Sequence, residues 1–293
     1  MQDLYIKVLP TLVIQMKIKG KKVKFLGLLC LSITLLVSMT PSTYSGFAST
    51  QNKTLIQPQG IQNMSTNATN IVLVHGAWAD GSGWSKQIPI LRDAGHKVIA
   101  VQLPTHSLSD DIETVKRAVE HIGGPTILVG HSYGGEVITN AAYNNPNVTG
   151  LVYIAAFAPD EGQSLSSFVD PAKFPKDLFI VDSGGFIYLN PEIFRENFAQ
   201  DVDPAEADLM AIVQKPFNQS IFGEKSGPPA WKQLPTWYQV SENDRMIPPD
   251  VQRQFAEQMN ATTLSVNASH ASYISHPNEI TELILNATKG STK

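Results

Sequence analysis

The run Thr126-Ile127-Leu128-Val129-Gly130-His131-Ser132-Tyr133-Gly134-Gly135-Glu136-Val137-Ile138 constrains this chain more than any other stretch. Residues 126–129 are β-branched and apolar and read as a buried strand, whereas the residues after Ser132 take up a helical pattern. Gly130-His131-Ser132-Tyr133-Gly134 therefore falls on a strand-to-helix turn, the context that a G-x-S-x-G nucleophile elbow requires. A turn sharp enough to lift a serine above a sheet crowds the backbone, and glycines tolerate what β-carbons would block. Ser132 is the candidate nucleophile.

The rest of the chain repeats that alternation. Strands are expected at 70–74, 97–102, 126–129, 150–154, 236–240 and 262–266, and helices near 83–94, 109–122, 133–144, 248–259 and 277–286. Short apolar strands separated by amphipathic helices predict an α/β fold, a mostly parallel sheet of about six strands with helices on both faces. Reactive groups then belong at the carboxyl ends of the strands. Between 161 and 234 the alternation fails. Several prolines, a Ser183-Gly184-Gly185 turn and two short helices at 191–199 and 204–213 predict a small inserted cap over the site. Phe174, Phe179, Phe186, Tyr188, Phe217, Phe222 and Trp231 are its candidates for an apolar pocket wall.

Residues 1–48 read as a signal peptide of bacterial type. Lys17, Lys19, Lys21, Lys22 and Lys24 precede an apolar run over 25–39, and 41–48 supplies small residues with a cut expected after Ala48. Met16 offers a second start. The apolar run falls short of the roughly 20 residues that a spanning helix needs, so a secreted or extracytoplasmic protein, with no membrane association after cleavage, is expected. Residues 49–69 are polar and aperiodic and read as a flexible linker, and 70–293 as a single domain. Cys30 is the only cysteine, so the exported chain would have no disulfide, cysteine nucleophile or thiolate metal site. Losing residues 1–48 removes six lysines and one aspartate and leaves 16 basic against 25 acidic residues, a formal charge of −9. Nucleic-acid binding, which rests on a basic surface, is not expected.

Four motifs carry a resemblance: Val72-Leu73-Val74-His75-Gly76-Ala77-Trp78, Gly130-His131-Ser132-Tyr133-Gly134-Gly135, Asn243-Asp244-Arg245-Met246-Ile247-Pro248 and Ser269-His270. With them residues 70–293 resemble the α/β-hydrolase superfamily, in particular the small-cap branch of EstC-like bacterial esterases, plant methylesterases and plant hydroxynitrile lyases. The chain order Ser, acid, His in that fold places the base after Ser132. His270 and His276 qualify. His270 lies in the loop beyond strand 262–266 and is preferred, while His276 sits at a helix start suited to capping or exposure. Asp244 is the preferred acid, with Glu242 its neighbour in the loop and Asp160 a rival from another strand. The backbone N–H groups of Ala77 and Tyr133 are the expected oxyanion donors, and His75 is expected to brace its loop by hydrogen bonds.

The resemblance implies a serine hydrolase that cleaves small to medium apolar carboxylic esters through an acyl-enzyme. No metal or organic cofactor is implied, and the oligomeric state stays open. A C–C lyase and a non-catalytic ligand-binding receptor are the alternatives. The plant lyases carry threonine where this chain has Gly76, and lysine where it has Ala271. Both departures favour the esterase, with Lys232 left as a candidate cation from the cap.

Overall fold

A computed structural model describes residues 69–290 and, before them, two strands. These strands, β1 (Val13–Ile18) and β2 (Lys21–Leu26), pair antiparallel. They cover Lys17, Lys21, Lys22 and Lys24 of the expected signal segment; the rest of that segment, Lys19 included, and nearly all of the expected linker lie outside the described residues.

From Asn70 the chain alternates through β3 (Asn70–Val74), α1 (Gln87–Asp93), β4 (Val98–Ala100), α2 (Leu108–Ile122), β5 (Thr126–His131), α3 (Tyr133–Ala141) and β6 (Val148–Ile154). An inserted segment follows with β7 (Phe179–Val181), β8 (Phe186–Leu189), α4 (Pro191–Phe198), α5 (Pro204–Ile212) and β9 (Phe217–Asn218). The alternation then resumes with β10 (Thr236–Ser241), α6 (Pro249–Gln258), β11 (Thr262–Val266), α7 (Ser272–Ser275) and α8 (Pro277–Gly290).

Six strands form one parallel sheet in the order β11-β10-β6-β5-β3-β4. Every residue of β3, β5 and β10 is buried, as a sheet covered on both faces demands. The edge strand β11 instead exposes Thr262, Thr263 and Ser265, polar residues that suit a boundary with water. The six-stranded α/β expectation holds, and Ser132 stands at the carboxyl end of β5, between β3 and β6.

Three details depart from the sequence reading. The helix expected at 83–94 is a 3₁₀ turn at Gly81–Trp84 followed by the separate α1. The short α7, directly after His270, was not anticipated. The inserted segment holds the two expected helices, each opened by a capping side chain and a proline, Asn190 with Pro191 and Asp203 with Pro204. It also holds an antiparallel sheet β7-β8-β9 that no periodicity announced, because its strands are only two to four residues long. Among the described residues no helix is long and apolar enough to cross a membrane.

Candidate active site

Ser132 sits at φ 54°, ψ −124°, between β5 and α3. That backbone conformation is strained for any residue with a side chain and persists only where the surroundings enforce it. Two hydrogen bonds do so: the Ser132 carbonyl accepts the N–H of Gly135 at 3.0 Å and that of Phe157 at 3.1 Å. Gly134 lets α3 lie directly on the end of β3, since a β-carbon there would stand 2.7 Å from the carbonyl oxygens of both Val74 and His75.

The loop after β11 brings His270 to the serine, with Nε2 2.9 Å from Ser132 Oγ. On the other side of the ring Nδ1 is 2.7 Å from Asp244 Oδ2. All three side chains are buried. Asp244 accepts three further bonds: the N–H groups of Met246 at 2.7 Å and Ile247 at 2.9 Å on Oδ1, and Gln252 Nε2 at 2.8 Å on Oδ2. A carboxylate held by this many hydrogen bonds is fixed in one orientation. It therefore takes the Nδ1–H of His270, which leaves the Nε2 lone pair facing the serine hydroxyl.

The rival residues lie elsewhere. Glu242 pairs with Arg253. Asp160 binds Lys232 at 2.6 Å on the surface, which also occupies the cation considered for a lyase. His276 contacts Ser275 Oγ at 2.9 Å and lies 3.7 Å from Asp201. His75 braces its loop as expected: Nδ1 donates to the Gly76 carbonyl at 2.8 Å and Nε2 accepts the Leu103 N–H at 3.0 Å. Burial lowers its pKa from 6.5 to about 4, so it stays neutral.

Ser132 and His270 line a small cavity. Ala77 and Tyr133 line it beside the serine, and Tyr133 opens α3, where a backbone N–H has no partner within the helix. The wall is apolar. The inserted segment contributes Phe174, Phe179, Phe217 and Phe222 from the predicted aromatics, with Leu165 and Val169. Phe186 packs against His106 instead, and Trp231 donates to the Pro159 carbonyl at 3.3 Å. Tyr188 does not line the cavity.

Several contributors carry no signal in the sequence. Trp78 forms part of the wall and is fixed by Nε1 donating to the Ile187 carbonyl at 3.0 Å. Gln252, on the helix that follows the acid's loop, holds Asp244 from eight residues away, and His131 holds the base through a contact across 139 residues, which no local pattern encodes.

Residues 71–283 match the alpha/beta hydrolase family. The chain is 31% identical over 245 residues to a pyrethroid hydrolase of Sphingobium wenxiniae, covering 74% of this chain and 86% of that one. It is 38% identical over 133 residues to a carbendazim hydrolyzing esterase of a Nocardioides species, a match spanning 40% of this chain and 53% of that relative. The crystal structure of a pyrethroid hydrolase from Sphingobium faniae aligns with a TM-score of 0.65 at 27% identity, covering 76% of this chain and 98% of the other. Fold, elbow and sequence agree: the chain belongs to the α/β hydrolase family.

Proposed function

We propose that the protein is a carboxylesterase acting on small to medium apolar esters, with Ser132 as nucleophile, His270 as base and Asp244 as orienting acid. The observation that carries this reading is the unbroken hydrogen-bonded relay from Asp244 through His270 to Ser132, whose serine and histidine line an apolar cavity. His270 Nε2 takes the hydroxyl proton as Ser132 Oγ attacks the ester carbonyl carbon. The negative charge that develops on the carbonyl oxygen is held by the N–H groups of Ala77 and Tyr133. The imidazolium returns its proton to the departing alcohol, and water then repeats the sequence on the acyl-enzyme. Among the described residues no lysine, arginine, aspartate or glutamate lines the cavity, which supports uncharged substrates. The relatives, named as a pyrethroid hydrolase and a carbendazim hydrolyzing esterase, support a small-molecule ester.

Cleavage of cyanohydrins is disfavoured because the departing cyanide needs a nearby positive charge. Ala271 is buried and apolar, and Lys232 is committed to Asp160. Incubation with p-nitrophenyl esters of rising acyl length and, separately, with mandelonitrile tests the assignment against a Ser132→Ala background. Ester turnover without cyanide release is expected; cyanide release without ester turnover would overturn it.

Residues 161–234 act as a cap, supported by the side chains they contribute to the cavity wall. Residues 1–48 act as an export signal, supported by the order of lysines, apolar run and small residues. Intact-mass measurement of the exported protein should place its N-terminus near Ala48, and retention of 25–39 would contradict this.

A further inference from the structure

The residue after the nucleophile does more than supply an N–H. Its side chain ends in a closed ring of contacts with the cap. Tyr133 Oη donates to Asp111 Oδ2 at 2.7 Å, and both side chains are buried. Asp111 sits in the first turn of α2, and its Oδ1 accepts the N–H of Thr105 at 2.8 Å. Thr105 is held at φ 60°, a left-handed conformation unusual for a β-branched residue.

Thr105 then grips the cap on both sides of one residue. Its hydroxyl lies 2.7 Å from the Pro216 carbonyl and 2.6 Å from that of Pro104, and its own carbonyl accepts the Asn218 N–H at 3.0 Å. Between Pro216 and Asn218 stands Phe217, which lines the cavity and packs edge-on against the Tyr133 ring, 4.9 Å between centroids. The path Tyr133, Asp111, Thr105, Phe217 and back to Tyr133 is thus closed.

A buried carboxylate is a costly way to fill space, since an apolar side chain of similar size would pack without the desolvation penalty. Here burial raises the Asp111 pKa to about 6 in spite of the two hydrogen bonds it accepts. What the carboxyl group supplies, and a hydrocarbon does not, is a pair of directed acceptors holding two backbone segments at fixed distance.

We propose that Asp111 is a positioning residue for ester hydrolysis, fixing Tyr133 so that its N–H points at the developing oxyanion and locking that donor to the Phe217 wall. The inference rests on the acyl-enzyme reading above. Geometry of this kind acts on the transition state, because a donor displaced by a fraction of an ångström stabilises the oxyanion less while ground-state binding hardly changes.

The test compares Asp111→Ala, Asp111→Asn and Tyr133→Phe in steady-state hydrolysis of p-nitrophenyl acetate, with folding followed by circular dichroism. Inhibition by phenylboronic acid, which forms a tetrahedral adduct on a nucleophilic serine, is measured in parallel. Asp111→Ala is expected to lower kcat by about 10- to 100-fold with KM changed less than about threefold, and to weaken boronate inhibition in proportion. Asp111→Asn is expected to recover most of kcat, because the amide oxygen still accepts from Thr105 and the amide N–H₂ can donate to Tyr133 Oη. Tyr133→Phe removes the same link without touching Asp111, and decides the matter should Asp111→Ala not fold. Unchanged kcat in Tyr133→Phe, or a loss confined to KM or to stability, would overturn the proposal. Ser132→Ala separates the two readings: if it keeps wild-type activity the acyl-enzyme itself has failed, whereas an inactive Ser132→Ala beside fully active Asp111→Ala and Tyr133→Phe removes this inference alone.

Discussion

His131 donates its Nε2–H to the main-chain carbonyl of His270 at 2.8 Å, so the residue before the nucleophile holds the backbone of the base. The ring is fully buried, and burial, followed by the neighbouring His270, holds its pKa well below 6.5. A neutral His131 adds no positive charge beside the imidazolium that forms during catalysis. Its Nε2–H also sets the distance between strand β5 and the loop after β11.

His131→Leu leaves a buried carbonyl without its donor, a loss of about 1–3 kcal/mol. Expressed in the transition state, that lowers kcat by about 5- to 150-fold. His131→Gln, which retains an N–H donor, should recover most of it. Equal kcat in wild type and His131→Leu would show that the loop is held by other contacts.

The acid is decided by comparing three substitutions. Asp244→Asn should lower kcat by several orders of magnitude, because an amide in that place favours the wrong imidazole tautomer. Asp160→Asn and Glu242→Gln break surface or half-buried ion pairs with Lys232 and Arg253 and should leave kcat within about twofold. The converse pattern, measured with one short ester, would move the acid away from Asp244.

Gly76 tests how closely the loop after β3 approaches the elbow. A β-carbon there would stand 2.7 Å from Ser132 Cβ and 3.0 Å from the His131 carbonyl, so the glycine provides contact and not free room. Gly76→Ala should therefore destabilise the fold by about 1–3 kcal/mol and lower kcat as the serine shifts. Urea unfolding and ester kinetics on the same preparation check both effects. A variant with wild-type stability and activity would mean that the loop yields without moving Ser132.

Acid sensitivity follows from His75. The unfolded chain takes up a proton as pH falls below 6.5, while the folded chain refuses it down to about 4 because the ring is buried. Its contribution to stability is thus complete above 6.5 and is lost progressively between 6.5 and 4. In His75→Gln the fall in unfolding free energy across that window should be smaller than in wild type. Identical pH slopes would place the acid sensitivity on other groups.

What the sequence encodes legibly is local. The 126–138 run sets strand, turn and helix by neighbouring residues alone, and the order of Ser132, Asp244 and His270 along parallel strands narrows the partners to a few loops. Most strand positions followed from buried apolar runs. The strands of the cap did not, because β9 is two residues long and carries no period. Asp111, Gln252 and His131 were likewise invisible. Asp111 and His131 act on residues brought near by the sheet topology, and Gln252 on one that the turn into α6 brings back to it; Asp111 reads in sequence as one of two acidic residues in a helix's first turn. The aromatics showed the limit of composition, since Phe179 and Phe217 face the cavity while Phe186, from the same segment, packs against His106.

The acyl-enzyme on Ser132 is the central claim, and covalent trapping tests it most directly. The protein is treated with a fluorophosphonate, digested and sequenced by mass spectrometry, beside His270→Ala. The account predicts one adduct per chain, located on Ser132, with loss of esterase activity in step with labelling and labelling strongly slowed in His270→Ala. An adduct on another residue, or full ester turnover by a protein that takes up no label, would contradict it.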